Sequence, residues 1–276
     1  MGDVHIQQTQ AVLARHLDTV LRPVLWASGG KDSTVLLHLC QPWREKLTVL
    51  HACKDGDDGW PDISTILREH CAAWGFALVE VWPWKTFDEY VQSFGWPVEV
   101  VPTTLEGDTA LAPSPYRDLP IKMASWLHCT YVRTIFPLLE AMTALETDLV
   151  LTGSRLSDAP ANAAFAQEVT PATPTGWRRV NPLAHWSTDD IWRYVDTHQI
   201  TLPAYYAWKR TADFEAVDCL SCTWQPQHWQ ILKQYYPDEY AKRWPVAQPV
   251  FAALHAALTT HADQVFPLLQ GEAYAP

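Results

Sequence analysis

Four short apolar runs constrain this chain most. They are Val24-Leu25-Trp26-Ala27, Leu47 to Ala52, Ala77 to Val81 and Asp148 to Thr152. Each is too short for a helix and nearly continuous in its apolar character, and the stretch after it tends toward helical spacing. A strand with apolar residues on both faces needs cover on both sides. Strands alternating with helices provide it as a parallel sheet with helices on either face. Arg179 to Leu183 reads as a further strand, so the expected fold is α/β with a parallel sheet of about five strands. Ligands of such sheets collect at the carboxyl ends of the strands. Two of those ends carry glycine, at Ser28-Gly29-Gly30 and at Gly153-Ser154, and both are expected to face one pocket.

Helices are expected at 5–21, where Arg22-Pro23 breaks the pattern, at Ser33 to Leu39, at Ile63 to Trp74 and over 121–146. Ser187-Thr188-Asp189-Asp190 has the hydroxyl and carboxylate spacing of a capping box. Residues 95–120 and 157–177 read as loops, and 224–244 and 249–270 as mostly helical. The expected division is an α/β nucleotide-binding domain over 1–200 and a C-x-x-C and helical region over 201–276.

With 48% hydrophobic residues and 15 tryptophans, the chain is not a disordered one. Its 31 acidic residues outnumber 20 basic ones, for a net charge of −11. Both halves are acidic, which excludes a basic, sequence-independent DNA-binding module. The opening residues lack the basic segment and apolar core of a secretory signal. No run reaches the length of a membrane span. A cytoplasmic location and no membrane partner are therefore expected. In that setting the six cysteines, at 40, 53, 71, 129, 219 and 222, read as thiols or ligands rather than disulfides.

The chemistry concentrates in Ser28-Gly29-Gly30-Lys31-Asp32-Ser33, between a strand and a helix. Two glycines let backbone N–H groups approach a phosphate, and the following helix offers its positive end. Lys31 adds charge, and Ser28 and Ser33 add hydroxyls. Neither the Walker A spacing nor G-x-G-x-x-G is present, which argues against a dinucleotide site. A mere tight turn explains the glycines but not Ser, Lys, Asp and Ser together.

This loop matches the SGGKDS loop of the ATP pyrophosphatases, and residues 20–230 resemble the phosphoadenosine phosphosulfate reductase family. Asn181 to Trp186 followed by Asp190 to Val195, Asp218 to Thr223, and Leu151 to Arg155 resemble three further family segments, in the family's order. That family also holds the ATP sulfurylase small subunit and the sulfur-activating proteins of DNA phosphorothioation. The resemblance implies a Rossmann-like adenine nucleotide α-hydrolase fold and an ATP-dependent, AMP-forming enzyme of sulfur activation or sulfur transfer. The other readings are a sulfonucleotide reductase and a noncatalytic nucleotide-binding partner subunit. Reductases of the family usually have a degenerate loop and a nucleophilic cysteine near the C-terminus. Here the loop is intact, and residues 223–276 contain no cysteine.

The resemblance further implies ATP and Mg²⁺ on Ser28, Gly29, Gly30, Lys31, Asp32, Ser33, Asp55 and Gly153, with Lys31, Asp32 and Arg155 as the catalytic set. Adenine is expected near His51 to Asp55. Asp55 and Asp58 fit either Mg²⁺ and ribose contacts or a solvated acidic loop. Cys129, Cys219 and Cys222 match ligand positions for a [4Fe-4S] cluster or Zn²⁺, with His128 or His228 as a further zinc ligand. Cys40 and Cys71 fit inert thiols on helix faces. Arg178-Arg179, Lys122 and Arg133 are weaker anion-binding candidates, and Trp60 and Trp177 candidates for base stacking. A nucleotide ligand is expected. A protein partner or sulfur donor, a homo-oligomer and a nucleic-acid acceptor are left open.

Overall fold

Continuous apolar strands predict cover on both faces, and the computed structural model shows it. It describes residues 2–54, 56–98, 122–157, 169–170, 176–209, 219–221 and 226–260. Asp55, Cys222 and most of the loops expected at 95–120 and 157–177 lie outside the described residues. In chain order the first elements are α1 (Gly2–Leu17), β1 (Pro23–Trp26), α2 (Lys31–Leu39), β2 (Thr48–Ala52), α3 (Ile63–Trp74) and β3 (Ala77–Val81). Next come α4 (Phe87–Phe94), β4 (Trp96–Val98), β5 (Met123–Ser125), α5 (Trp126–Thr130), a π-helical turn at Tyr131–Ile135, and α6 (Phe136–Ala144). The last are β6 (Leu149–Leu151), β7 (Val169–Thr170), β8 (Arg178–Val180), α7 (Thr188–Thr197), α8 (Tyr206–Lys209), α9 (Pro226–Tyr235) and α10 (Pro237–Thr260).

The chain packs as two compact units, each drawn from three stretches. One comprises Met1–Asp55, Pro61–Trp82 and Pro137–Ala204. The other comprises Gly56–Trp60, Pro83–Phe136 and Tyr205–Pro276. The division by packing thus interleaves the chain, where the linear reading cuts it once near residue 200.

The first unit holds a six-stranded sheet in the order β3-β2-β1-β6-β8-β7. Five strands are parallel, and the two-residue β7 runs antiparallel on the edge. At the centre Val24 pairs with Thr48 on one side and Val150 on the other. Alternate residues of each strand face opposite layers. Leu25, Val49 and Leu151 enter a core with Leu13, Leu36 and Ile191. Val24, Leu50 and Val150 enter a second core with Leu138 and Met142. Both faces are buried, so the strands carry no polar alternation. From β1 the chain winds through β2 and β3 to one side, then through β6 and β8 to the other. The order therefore reverses between β1 and β6, where doubly wound sheets open their ligand crevice.

Helix ends follow local chemistry. Ser187 caps α7 by accepting from the Asp190 N–H at 3.1 Å, and Asp190 accepts from the Ser187 N–H in return. The expected strand at 179–183 is shorter, Arg178–Val180, and the Asn181 carbonyl accepts from the Ala184 N–H at 3.0 Å in the turn that follows. The helix expected over 121–146 is corrected at its start. Met123–Ser125 is buried and pairs in parallel with Trp96–Val98, so strand pairing within the second unit overrides helical periodicity. The expected break between 244 and 249 is also absent: α10 runs continuously with Pro245 and Pro249 inside it.

Two glycines fix the join between sheet and helix. Gly29 has φ +77°, and a Cβ there would lie 2.5 Å from Ile63 Cγ2. A Cβ on Gly153 would lie 2.9 Å from backbone atoms of Asp32 and Ser33. Gly29→Ala is expected to cost about 1–3 kcal/mol through backbone strain and crowding. Gly153→Ala should cost a similar amount by forcing the end of β6 off α2. Urea unfolding midpoints of the two variants check this, and wild-type midpoints in both would refute the close packing.

Candidate functional site

The carboxyl end of β1 leads through Ala27 and Ser28 into Gly29 and Gly30. Gly30 is the N-cap of α2, in extended backbone with φ −73° and ψ 164°. No side chain caps that helix start, so its first N–H groups face the turn made by Ser28 and the glycines. The loop is braced internally. The Gly30 N–H donates to Ser28 Oγ at 3.3 Å, and Ser28 Oγ lies 3.2 Å from Ser33 Oγ. Ser33 Oγ and Thr34 Oγ1 donate to the Gly30 carbonyl at 3.0 and 2.9 Å.

Charge is arranged around Asp32. Lys31 Nζ donates to Asp32 Oδ2 at 2.8 Å. Arg155 Nε lies 3.0 Å from Asp32 Oδ1, as an ion pair off the hydrogen-bonding direction. Arg155 is buried, and its other end donates to Thr188 Oγ1 at 3.1 Å. Asp32 thus lies between two cations at a helix N-terminus, an end whose dipole suits a phosphate. The backbone of Gly153 packs on the same helix turn. Thr152 Oγ1 donates to Asn181 Oδ1, which joins the ends of β6 and β8. Ser28, Gly29, Gly30, Lys31, Asp32, Ser33, Gly153 and Arg155 thus converge at the switch point.

His51, expected near the adenine, is buried. One ring nitrogen is 2.8 Å from the Ala27 carbonyl and the other 2.8 Å from Ser64 Oγ. Cys40 is buried at the C-cap of α2, and Cys71 is buried on α3. Burial pushes the Cys40 thiol far up and the Cys71 thiol to about 11, so both stay protonated. Trp177 is partly buried against the Val24, Leu50 and Val150 cluster.

The acidic loop and two of the three candidate ligand cysteines lie in the second unit. Asp58 is completely buried there. Its Oδ1 accepts from Arg243 at 3.1 Å, and its Oδ2 lies 3.5 Å from Arg133. Arg133 also pairs with Asp57, and Arg243 donates to Ser221 Oγ at 3.1 Å. The Leu220 N–H donates to the Asp58 carbonyl at 3.0 Å. Burial first, then the neighbouring Cys219, push the Asp58 carboxyl up to about 7, against the opposing pull of Arg133, Arg243 and Ser221. Asp58 is therefore neither a solvated loop residue nor open to a ligand. Burial lowers the Arg133 guanidinium, but Asp58, Cys219, Cys129 and Asp57 outweigh it and raise it. The π turn carries Arg133 into this node, a geometry that sequence periodicity does not report.

Cys129 is buried beside Tyr90 and Ala124, and Cys219 is half-buried. Both interact electrostatically with the Arg133 guanidinium. Among the described residues no three His, Cys, Asp or Glu side chains form a metal-holding group. His128 is hydrogen-bonded through Nδ1 to the Tyr90 hydroxyl at 2.7 Å, and burial lowers its basicity. Trp60 is buried against Tyr205, His228 and Tyr236, which corrects the base-stacking expectation. Lys122 is exposed and donates to the Ser93 carbonyl at 3.1 Å.

The doubly wound sheet and this loop define a nucleotide-binding α/β protein of the PP-loop type. Residues 22–225 match the phosphoadenosine phosphosulfate reductase domain, and the chain belongs to that family. Sulfate adenylyltransferase subunit 2 of Mycobacterium tuberculosis is 26% identical over 220 residues, covering 70% of this chain and 60% of that protein. The Azospirillum brasilense protein of the same name is 28% identical over 228 residues, covering 72% and 65%. This chain thus spans less than two thirds of those relatives. In fold it is similar to the phosphoadenylyl-sulfate reductase of Candida auris, solved as a phosphate complex. The TM-score is 0.50 at 17% identity, over 73% of this chain and 84% of that one. No helix among the described residues is long and apolar enough to cross a membrane.

His228 supplies a pH test of the second unit. It is fully buried, and its Nε2–H donates to the Leu220 carbonyl at 2.9 Å. Burial lowers its pKa to about 4, against the opposing effect of that bond. The neutral ring therefore contributes stability that is complete above about 6.5 and is lost as pH falls toward 4. Between pH 7 and 4 the wild type should lose up to about 3 kcal/mol more than His228→Gln, from about 1.4 kcal/mol per pH unit. Urea unfolding at the two pH values measures it, and parallel losses would contradict a buried neutral imidazole.

Proposed function

We propose that the chain is an ATP-dependent, AMP-forming enzyme of sulfur activation or sulfur transfer. One observation carries the reading: the intact Ser28–Ser33 loop stands at the β1/β6 switch point, with an uncapped helix start beneath it and Asp32 between Lys31 and Arg155. In this reading the loop N–H groups and Lys31 hold the β- and γ-phosphates as one leaving group. Mg²⁺, when bound, neutralises the developing charge on that pyrophosphate. A nucleophilic oxygen of the acceptor attacks the α-phosphate. The bond from phosphorus to the β-bridging oxygen breaks, and pyrophosphate departs, leaving an adenylate. Arg155 is buried and paired, so its part is to hold Asp32 and the loop in place. Asp55, outside the described residues, is the proposed Mg²⁺ or ribose ligand.

The second step of the proposal is displacement of AMP by sulfur. Cys129 and Cys219, with Cys222 outside the described residues, are the proposed ligands of an iron–sulfur cluster or zinc. Their support is that Cys129 and Cys219 both interact electrostatically with Arg133. A cluster or zinc there would hold a sulfide delivered by a separate sulfur donor; that sulfide would form the new bond to the acceptor as AMP leaves, with no change of oxidation state.

Two other readings keep specific support. Membership of the reductase domain family favours a sulfonucleotide reductase. Relatives named as subunit 2 of a larger enzyme favour a chain that works with a protein partner.

Gly30 has backbone angles open to any residue, so Gly30→Val reads the approach of phosphate rather than strain. The variant is expected to fold and to lose Mg·ATP binding by about a hundredfold or more, as measured by calorimetry. Wild-type affinity in the folded variant would remove the loop assignment. Turnover followed by ³¹P NMR, with candidate acceptors and a partner subunit supplied, should give AMP and pyrophosphate. ADP and inorganic phosphate would count against the reading.

A further inference from the structure

Leu47, Val49 and His51 alternate onto one face at β2, and Leu47 and Val49 enter the core with Leu25 and Leu36. The strand pattern calls for an aliphatic side chain at the third position. A histidine stands there instead, 3% exposed. A buried imidazole is costly unless its ring nitrogens are hydrogen-bonded, and here both are. A core position that gives up an apolar residue for a paired polar one points to a role beyond packing.

The partners fix the direction of each bond. The Ala27 carbonyl can only accept, so Nδ1 carries the proton and donates at 2.8 Å. In the neutral ring Nε2 is then the acceptor, and it takes the Ser64 hydroxyl proton at 2.8 Å. The Ser64 oxygen in turn accepts from the Cys53 thiol at 3.8 Å, and Arg68 donates to the Cys53 sulfur at 3.6 Å. One oriented chain of donors thus runs from Arg68 through Cys53, Ser64 and His51 to Ala27, all within the first unit.

Both ends of the ring reach the phosphate loop. Ala27 immediately precedes Ser28, and its N–H donates to the Leu50 carbonyl at 2.9 Å. Leu50 and His51 therefore hold both backbone polar groups of the residue from which the loop springs. Ser64 lies in the first turn of α3 next to Ile63, whose side chain a Cβ on Gly29 would strike. His51 ties the root of the loop to the helix start that packs on its first glycine.

We infer that His51 is a positioning residue of the phosphate loop. Its Nδ1–H fixes the Ala27 carbonyl, and through it the aim of the loop N–H groups at the β- and γ-phosphates. The Ser64 bond orients the ring and contributes to stability, whereas the Ala27 bond sets nucleotide affinity. This role rests on the ATP reading proposed above.

Amide substitutions separate the two bonds. In His51→Asn the side-chain amide nitrogen takes the place of Nδ1 and keeps the Ala27 bond. In His51→Gln the amide takes the place of Nε2 and keeps only the Ser64 bond. Ser64→Ala removes the Ser64 bond and leaves Ala27 held. The full-length variants are titrated calorimetrically with Mg·ATP and with inorganic pyrophosphate, and their urea midpoints are measured alongside. Each loses one buried bond, so all three midpoints should fall by similar amounts. Affinity for both ligands should stay within about threefold of wild type in His51→Asn and Ser64→Ala, and fall about tenfold or more in His51→Gln. A histidine that only supports the fold would let affinity follow the midpoint in all three. Equal affinities in the Asn and Gln variants would overturn the inference. If His51→Gln does not fold, the two variants that keep the Ala27 bond decide: a tenfold loss in either overturns it, and retention in both upholds it. A wild type that binds neither ligand sinks the ATP reading itself. A wild type that binds, a Gly30→Val variant that does not and a His51→Gln variant that binds normally sink the role of His51 alone.

Discussion

Where Gly153 meets the first turn of α2, main chain lies against main chain. A single methyl group on Gly153 would come within 2.9 Å of Asp32 and Ser33 backbone atoms. That contact brings the carboxyl end of β6 to the helix that begins at the end of β1. Asp32 then holds Lys31 on one side and Arg155 on the other, while Arg155 reaches Thr188 at the start of α7. Three separate segments of the first unit thus meet around one carboxylate. The switch between β1 and β6 opens a crevice in any doubly wound sheet. Here its width is set by a glycine and its charge by an aspartate between two cations.

The second unit is organised around another carboxylate with a different environment. Asp58 is wholly buried, yet it faces Arg133 and Arg243 and lies beside the Cys219–Ser221 segment. Buried charges persist when they are paired and hydrogen-bonded. The node joins an acidic turn, a π turn, the segment after Asp218 and α10, which are far apart in sequence. One of its arginines, Arg133, also interacts electrostatically with Cys129 and Cys219.

These two carboxylates give the family resemblance a physical content. A loop with an uncapped helix start and a lysine in its first turn has the groups that a polyphosphate needs. In the second unit, Cys129 and Cys219 lie within electrostatic reach of the buried Arg133.

The sheet and the loop were legible in the sequence because both rest on local signals. Strands buried on both faces must be apolar throughout, and Leu25 against Val24 shows why: each serves a different core. A phosphate loop needs its glycines, hydroxyls and lysine within six consecutive residues. By contrast, nothing in the residues around Met123 announces a strand, since that strand exists only by pairing with Trp96–Val98. Asp58 reads as one of several acids in a polar turn, and Trp60 beside it as a loop aromatic, yet both are core. Arg243 lies 185 residues from Asp58. Local sequence determines which backbone conformations and hydrogen bonds a short segment offers. Only the tertiary structure decides which distant charge neutralises another, because burial and pairing depend on chain segments that the intervening fold brings together.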